Sequence, residues 1–148
     1  MPTYRRIMLA SDFSRASGKA FTTAVSLCRR LKARLILVHV LAPVTTAVAA
    51  EYVPPSVWDQ LEASSHKWGK RRLDALTDKA RRAGIGTTAL LLRGDATETI
   101  VDAARRQRVD LLVLGTHGRT GLERMVMGSV AARVIGGAPC PVLTVRGR

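Results

Sequence analysis

Short runs rich in Ile, Leu and Val alternate along the chain with longer stretches whose apolar residues recur every three or four positions. The first run, Arg6–Ala10, ends in Ser11-Asp12-Phe13-Ser14. Beyond it Phe21, Ala24, Val25 and Cys28 fall at i, i+3, i+4 and i+7, which predicts a helix over about 14–32 with one apolar face. Arg34–Leu41 is nearly continuous in Leu, Ile and Val, the pattern of a strand covered on both faces and therefore paired in parallel. Pro43 and Pro54-Pro55 bound a small-residue loop, after which Val57, Leu61, Trp68, Leu73, Leu76 and Ala80 mark a long amphipathic helix. Gly84 closes that helix, since glycine enters the left-handed region without penalty. A third strand over 87–92 precedes Asp95 and Glu98, which have the spacing of a capping box, so a helix through Ile100, Val101 and Ala104 starts there. A fourth strand over 110–114 runs into a glycine-rich loop, 129–135 supplies a last short helix, and Val142–Val145 is the fifth strand. Pro139 and Pro141 place this fifth strand at a sheet edge, or have it enter one late, because proline donates nothing to a ladder.

Five strands and four helices in strict alternation predict the α/β class: an open five-stranded parallel sheet with helices on both faces, Rossmann-like in layout. Ligands of such sheets sit beyond the carboxyl ends of the strands, where the strand order reverses. With 148 residues the chain forms one domain over 1–148, long enough to bury a core without staples. Cys28 and Cys140 are too few for a disulfide framework, and no signal-like or membrane-length apolar stretch is present, which predicts a cytoplasmic protein that does not span a membrane. His39, His66 and His117 show no metal-ligand spacing. Cys140 reads as a small buried residue, and Trp58 and Trp68 as anchors of the long helix to the sheet or to a partner.

Charge changes the picture. The 24 Lys+Arg exceed the 11 Asp+Glu to give +13. The cations are scattered over predicted helices, as at Arg29-Arg30-Leu31-Lys32 and Arg105-Arg106-Gln107-Arg108, aromatic residues are 4%, and no zinc finger or RNP-like motif occurs. Two readings stand: solvated helix faces, or association with nucleic acid through its phosphates.

The candidate chemistry lies after the fourth strand, in Gly115-Thr116-His117-Gly118-Arg119-Thr120-Gly121. Its glycines leave the backbone free to take φ > 0 and to approach a bulky anion. Gly128-Ser129 then opens the last helix, whose N–H groups and dipole favour negative charge and whose Ser129 hydroxyl is a donor. Taken singly, each glycine serves a turn; taken together, they form a phosphate cradle. The spacing excludes a Walker A loop, a G-x-G-x-x-G dinucleotide fingerprint and a G-x-S-x-G nucleophile elbow, and no clear general base is visible.

Ile7-Met8-Leu9-Ala10-Ser11-Asp12-Phe13-Ser14, Leu37-Val38-His39-Val40, Arg93-Gly94-Asp95, the glycine loop, Gly128-Ser129-Val130 and residues 138–146 together resemble the universal stress protein family, of the adenine-nucleotide-binding type with an adenine nucleotide alpha hydrolase-like fold. The likeness covers essentially the whole chain. Gly115, Gly118, Gly128 and Ser129 match the family's G-x2-G-x9-G-[ST] pattern without a gap. The resemblance implies that these four hold the phosphates and ribose of ATP, with Mg²⁺ accompanying the phosphates, and that Arg119 reaches the triphosphate. It also implies that Asp12 lies near the adenine or ribose, with helix capping as its other reading, and that the main chain of Val40 meets the adenine edge. It further implies a homodimer formed through the last strand and a nucleotide-dependent stress-response or signalling role. The alternatives are a slow ATP-hydrolysing or phosphoryl-transferring enzyme, with Arg119 at the γ-phosphate, and a basic stress protein associated with nucleic acid.

Overall fold

The computed structural model describes residues 3–43, 53–116 and 127–147. Its elements alternate as the hydrophobic pattern predicts: β1 (Arg6–Ala10), α1 (Arg15–Leu31), β2 (Arg34–Leu41), α2 (Pro55–Arg82), β3 (Thr87–Arg93), α3 (Ala96–Arg106), β4 (Leu111–Gly115), α4 (Ser129–Gly137) and β5 (Val142–Val145). All four strand pairings are parallel, in the order β3-β2-β1-β4-β5.

The helix boundaries follow from local chemistry. Ser14 caps α1 by accepting the Ser17 N–H, and the helix stops where Lys32 turns left-handed at φ 54°. Pro55, with its φ already fixed, starts α2, and Gly84 at φ +80° follows its end. Asp95 Oδ1 accepts the Glu98 N–H at 3.0 Å and so begins α3. Gly128 begins α4 with no side-chain cap at all.

Apart from Arg6 and Arg34 at their starts and His39 within β2, the central strands are apolar because helices cover both faces. Ile7 and Leu9 of β1 point with Leu35, Leu37 and Val113 toward Phe21, Ala24 and Cys28 of α1 and Leu73 and Ala80 of α2. Met8 points the other way, with Ile36, Val38 and Leu112, toward Ile100 and Ala104 of α3 and Ala131 and Val134 of α4. Ile7, Met8, Leu9, Leu35 and Leu37 are fully buried, each contributing roughly 1.5–3 kcal/mol relative to exposure.

Three boundaries differ from the sequence reading. β4 runs 111–115 instead of 110–114: Asp110, just before it, gives its N–H to the Arg6 carbonyl and its carboxylate to the Arg5 and Arg6 amides, while Gly115 still pairs with Val145. β3 gains Arg93, which pairs with Leu41. α4 continues through Gly136 and Gly137, its last turn closed by the Ala138 N–H on the Val134 carbonyl. The Trp58 indole N–H donates to the Val53 carbonyl just before α2, so it also fixes the start of its own helix.

Candidate functional site

The strand order reverses between β1 and β4, so the chain leaving β1 enters α1 on one face while α4, which follows β4, packs on the other. Between the diverging segments lies a cleft of about 320 Å³ at the carboxyl ends of the strands. Asp12, Val40, Gly115, Gly128 and Ser129 all line it. These five are separated by more than a hundred positions in sequence, yet the topology brings them together. Gly118, Arg119, His117 and Gly121 lie outside the described residues.

One wall is the β1–α1 turn. Past Ala10 the Ser11 N–H donates to the Val38 carbonyl at 2.8 Å, and Ser11 Oγ accepts the Phe13 N–H while lying 2.6 Å from Ser17 Oγ. Phe13 takes φ 62°, unusual for a bulky side chain, and three contacts hold it there. Its ring packs 4.4 Å from His39 and 5.3 Å from Trp68, and the Arg72 guanidinium lies 5.3 Å from its centroid. Trp68 thus anchors α2 to this turn and to β2. His39 is buried and bonds through Nδ1 to the Ser11 carbonyl at 2.7 Å; a carbonyl only accepts, so Nδ1 carries the proton. This places His39 among the supports of the wall.

The turn fixes Asp12. Its Oδ1 accepts the Ser14 N–H at 2.9 Å, an Asx turn, while Ser14 itself caps α1. The capping reading of Asp12 is therefore corrected: the carboxylate braces the cap residue and lies half-buried at the cleft.

Val40 forms the second wall. β1 pairs with β2 only as far as Val38, and Leu41 turns its carbonyl to the Gly94 N–H on the β3 side. By alternation Val40 turns its own N–H and C=O to the side that β1 has vacated, which is the cleft.

The glycines divide into two kinds. Gly115 does not take φ > 0, contrary to the sequence reading; the described glycines that do are Gly84 and Gly94. A Cβ at Gly115 would stand 2.8 Å from the Ser17 amide nitrogen and 2.9 Å from the Ala16 carbonyl carbon. Glycine is needed there because the first turn of α1 rests on the end of β4. Gly128 has φ −53° and ψ 146°, and its N–H donates to the Thr116 carbonyl at 2.7 Å. That amide closes the base of the segment between residues 116 and 128, which corrects the expectation that it points to a phosphate.

The first turn of α4 completes the floor. Ser129, Val130 and Ala131 line the cleft, the first turn holds no acidic residue, and no side chain caps it. The opening N–H groups of a helix have no partner within the helix, and the dipole adds positive potential. Ser11 and Thr116, the residues directly after β1 and β4, are among the cleft positions to which the sequence reading assigned no role of their own; their place at the switch point was the available signal.

Neither thiol belongs to the cleft. Burial pushes Cys28 from the ordinary 9.0 to about 11. Burial, reinforced by the Asp110 carboxylate and opposed by a backbone hydrogen bond from Leu112, also raises Cys140, which is half-buried and not fully enclosed as expected. Among the described residues no helix is long and apolar enough to cross a membrane.

A family model described as universal stress protein family matches residues 3–146. The chain is similar to universal stress protein YxiE of Bacillus subtilis, 33% identical over 147 residues that cover 97% of this chain and 99% of the relative. Universal stress protein UspA from Lactobacillus plantarum has a similar structure, with TM-score 0.84 and 26% identity over 97% of this chain and 98% of that one. A universal stress protein family protein from Arabidopsis thaliana, solved with AMP bound, has TM-score 0.69 and 25% identity over 96% and 91% of the two chains.

Proposed function

Because the chain belongs to the universal stress protein family, we propose that its cleft binds an adenine nucleotide, ATP in the first instance, and that nucleotide occupancy is the signal the protein passes on. The observation that carries this reading is the uncapped, acid-free N-terminus of α4 opening into a cleft at the switch point of the sheet. The AMP held by the plant family member supports the adenine class.

In this reading the amides and hydroxyl at the start of α4, from Ser129 onward, take the phosphates, and Gly128 contributes by having no side chain between them and the ligand. Gly118 and Arg119 supply the remaining phosphate contacts, with Mg²⁺ carried by the phosphates. The Asp12 carboxylate would repel phosphate, so it belongs at the ribose, where hydroxyls can donate to it. Val40 offers an outward N–H and C=O to the edge of the base. A cleft of about 320 Å³ suits the compact end of small-molecule sites. The same reading takes the protein as a cytoplasmic homodimer joined along β5.

Calorimetric titration of the nucleotide-stripped protein with ATP, ADP and AMP, each with and without Mg²⁺, tests this. The expected result is saturable binding that weakens as phosphates are removed. Absence of heat or of thermal stabilisation at millimolar ATP overturns it.

A further inference from the structure

The end of the sheet opposite the cleft carries a second recess of about 470 Å³, lined by Arg6, Arg34, Arg106 and Arg108 with Thr88 and Gln107. The topology assembles it. Arg6 and Arg34 are register partners at the starts of β1 and β2, and α3 delivers residues 106–108 to the start of β4, where Arg6 Nη1 donates to the Gln107 carbonyl at 3.2 Å. Like charges side by side on neighbouring strands cost stability, so packing alone does not favour this arrangement. Among the described residues no carboxylate pairs with any of the four; the ion pairs are Lys70–Asp74, Arg93–Glu62 and Arg105–Asp102. The acid at the rim, Asp110, turns Oδ2 to the backbone N–H groups of Arg5 and Arg6, both at 2.8 Å.

The crossover helices all run back toward this pole. Their last turns add Arg29 and Arg30 from α1, Arg81 from α2 and Arg105 from α3, all exposed. Cations at helix C-termini complement the macrodipole, and that role accounts for part of the charge. Four helix ends amount to about −2 charges and Asp102 pairs with Arg105, however, still well short of the arginines gathered here. The surplus makes a positive field of the kind that concentrates polyanions.

We propose that this arginine pole binds the phosphodiester backbone of double-stranded nucleic acid without reading its sequence, at a site separate from the cleft. Guanidinium groups match phosphate oxygens with paired donors. A single small anion would use the recess alone, whereas the flanking arginines extend the field along the pole, which suits a long chain of regularly spaced charges. No aromatic side chain lines the recess among the described residues, so it lacks the platform on which single-stranded bases stack.

The test is fluorescence anisotropy of the full-length protein with a labelled 20-base-pair DNA duplex between about 50 and 200 mM salt. Contact with about four phosphates predicts a loss on the order of a hundredfold over that range. The R34Q/R106Q/R108Q variant should bind at least tenfold more weakly at about 50 mM salt, with a shallower salt dependence. The K19Q/K67Q/R71Q variant removes the same charge from exposed helix positions away from the pole and should stay within about twofold of the native protein, with thermal melting showing both variants folded. An RNA duplex of equal length, run in parallel, tells which duplex binds more tightly, and either order supports the proposal. Equal losses in the two variants, no binding at low salt, or displacement by poly-glutamate at matched charge concentration as effective as by unlabelled duplex would overturn it.

Discussion

Gly115 and Gly128 both border the cleft, yet the fold asks different things of them. At Gly115 an added Cβ meets backbone atoms of Ala16 and Ser17 at 2.8–2.9 Å, in the first turn of α1 that the Ser14 cap holds. Gly115→Ala is therefore expected to cost about 1–3 kcal/mol, read as a lower Tm in calorimetry. Gly128 has a backbone conformation any residue adopts. Gly128→Val should melt within a few degrees of the native protein and lose ATP binding at least tenfold, measured by titration; unfolding would mean that this glycine also serves packing. Cys28 gives a separate expectation. Its folded pKa lies above the unfolded value, so the neutral thiol's contribution to stability is intact below pH 9.0 and is lost as pH rises toward about 11. Urea midpoints should fall through that window, and Cys28→Ser should flatten the fall.

On the scale of elements, α4 is where sequence and structure say most about each other. Its start carries Val130 at the second helical position, 38% exposed, on a turn with no acid and no cap. An aspartate there would satisfy the dipole that the nucleotide is proposed to satisfy. Val130→Asp should stabilise the protein alone by about 0.3–1 kcal/mol, while placing a like charge against phosphate. The expected outcome is a raised apo Tm together with loss of the ATP-induced Tm shift; a variant that still shifts with ATP would put the phosphates elsewhere. The elements were legible in the sequence wherever their signals are local: Gly84 and Asp95 act within three or four residues of themselves and end α2 and begin α3 where the pattern placed them, whereas the cap of α1 falls on Ser14 and not on Asp12. The reason for Gly115 was not legible, because the atoms it makes room for lie about a hundred residues earlier. The arginine pole was hidden for the same reason: Arg6, Arg34 and Arg108 look like scattered charge until parallel register sets the strand starts side by side.

For the whole molecule the open question of form is the sheet's β5 edge. The Leu112 N–H donates to the Pro141 carbonyl and the Thr116 N–H to the Val145 carbonyl, both at 3.0 Å, so alternate residues 141, 143 and 145 turn their main chain inward to β4. Val142 and Thr144 consequently turn theirs outward, along a four-residue strand whose side chains are apolar but for one threonine and half-exposed throughout. Such an edge is a template for another strand, and nothing in its sequence blunts it with a charge; the prolines stop at 141. Pairing with the same strand of a second copy would satisfy both edges and leave the two clefts and the two arginine poles outside the contact. Thr144→Pro removes one outward N–H while sparing every inward bond, a substitution an edge strand tolerates. Sedimentation equilibrium is expected to give twice the 16.0 kDa chain mass for the native protein and the single chain mass for the variant. ATP titration should be unchanged if each cleft is complete within one chain. A native protein that sediments as a monomer would overturn the homodimer, and a variant that stays paired would move the interface away from β5.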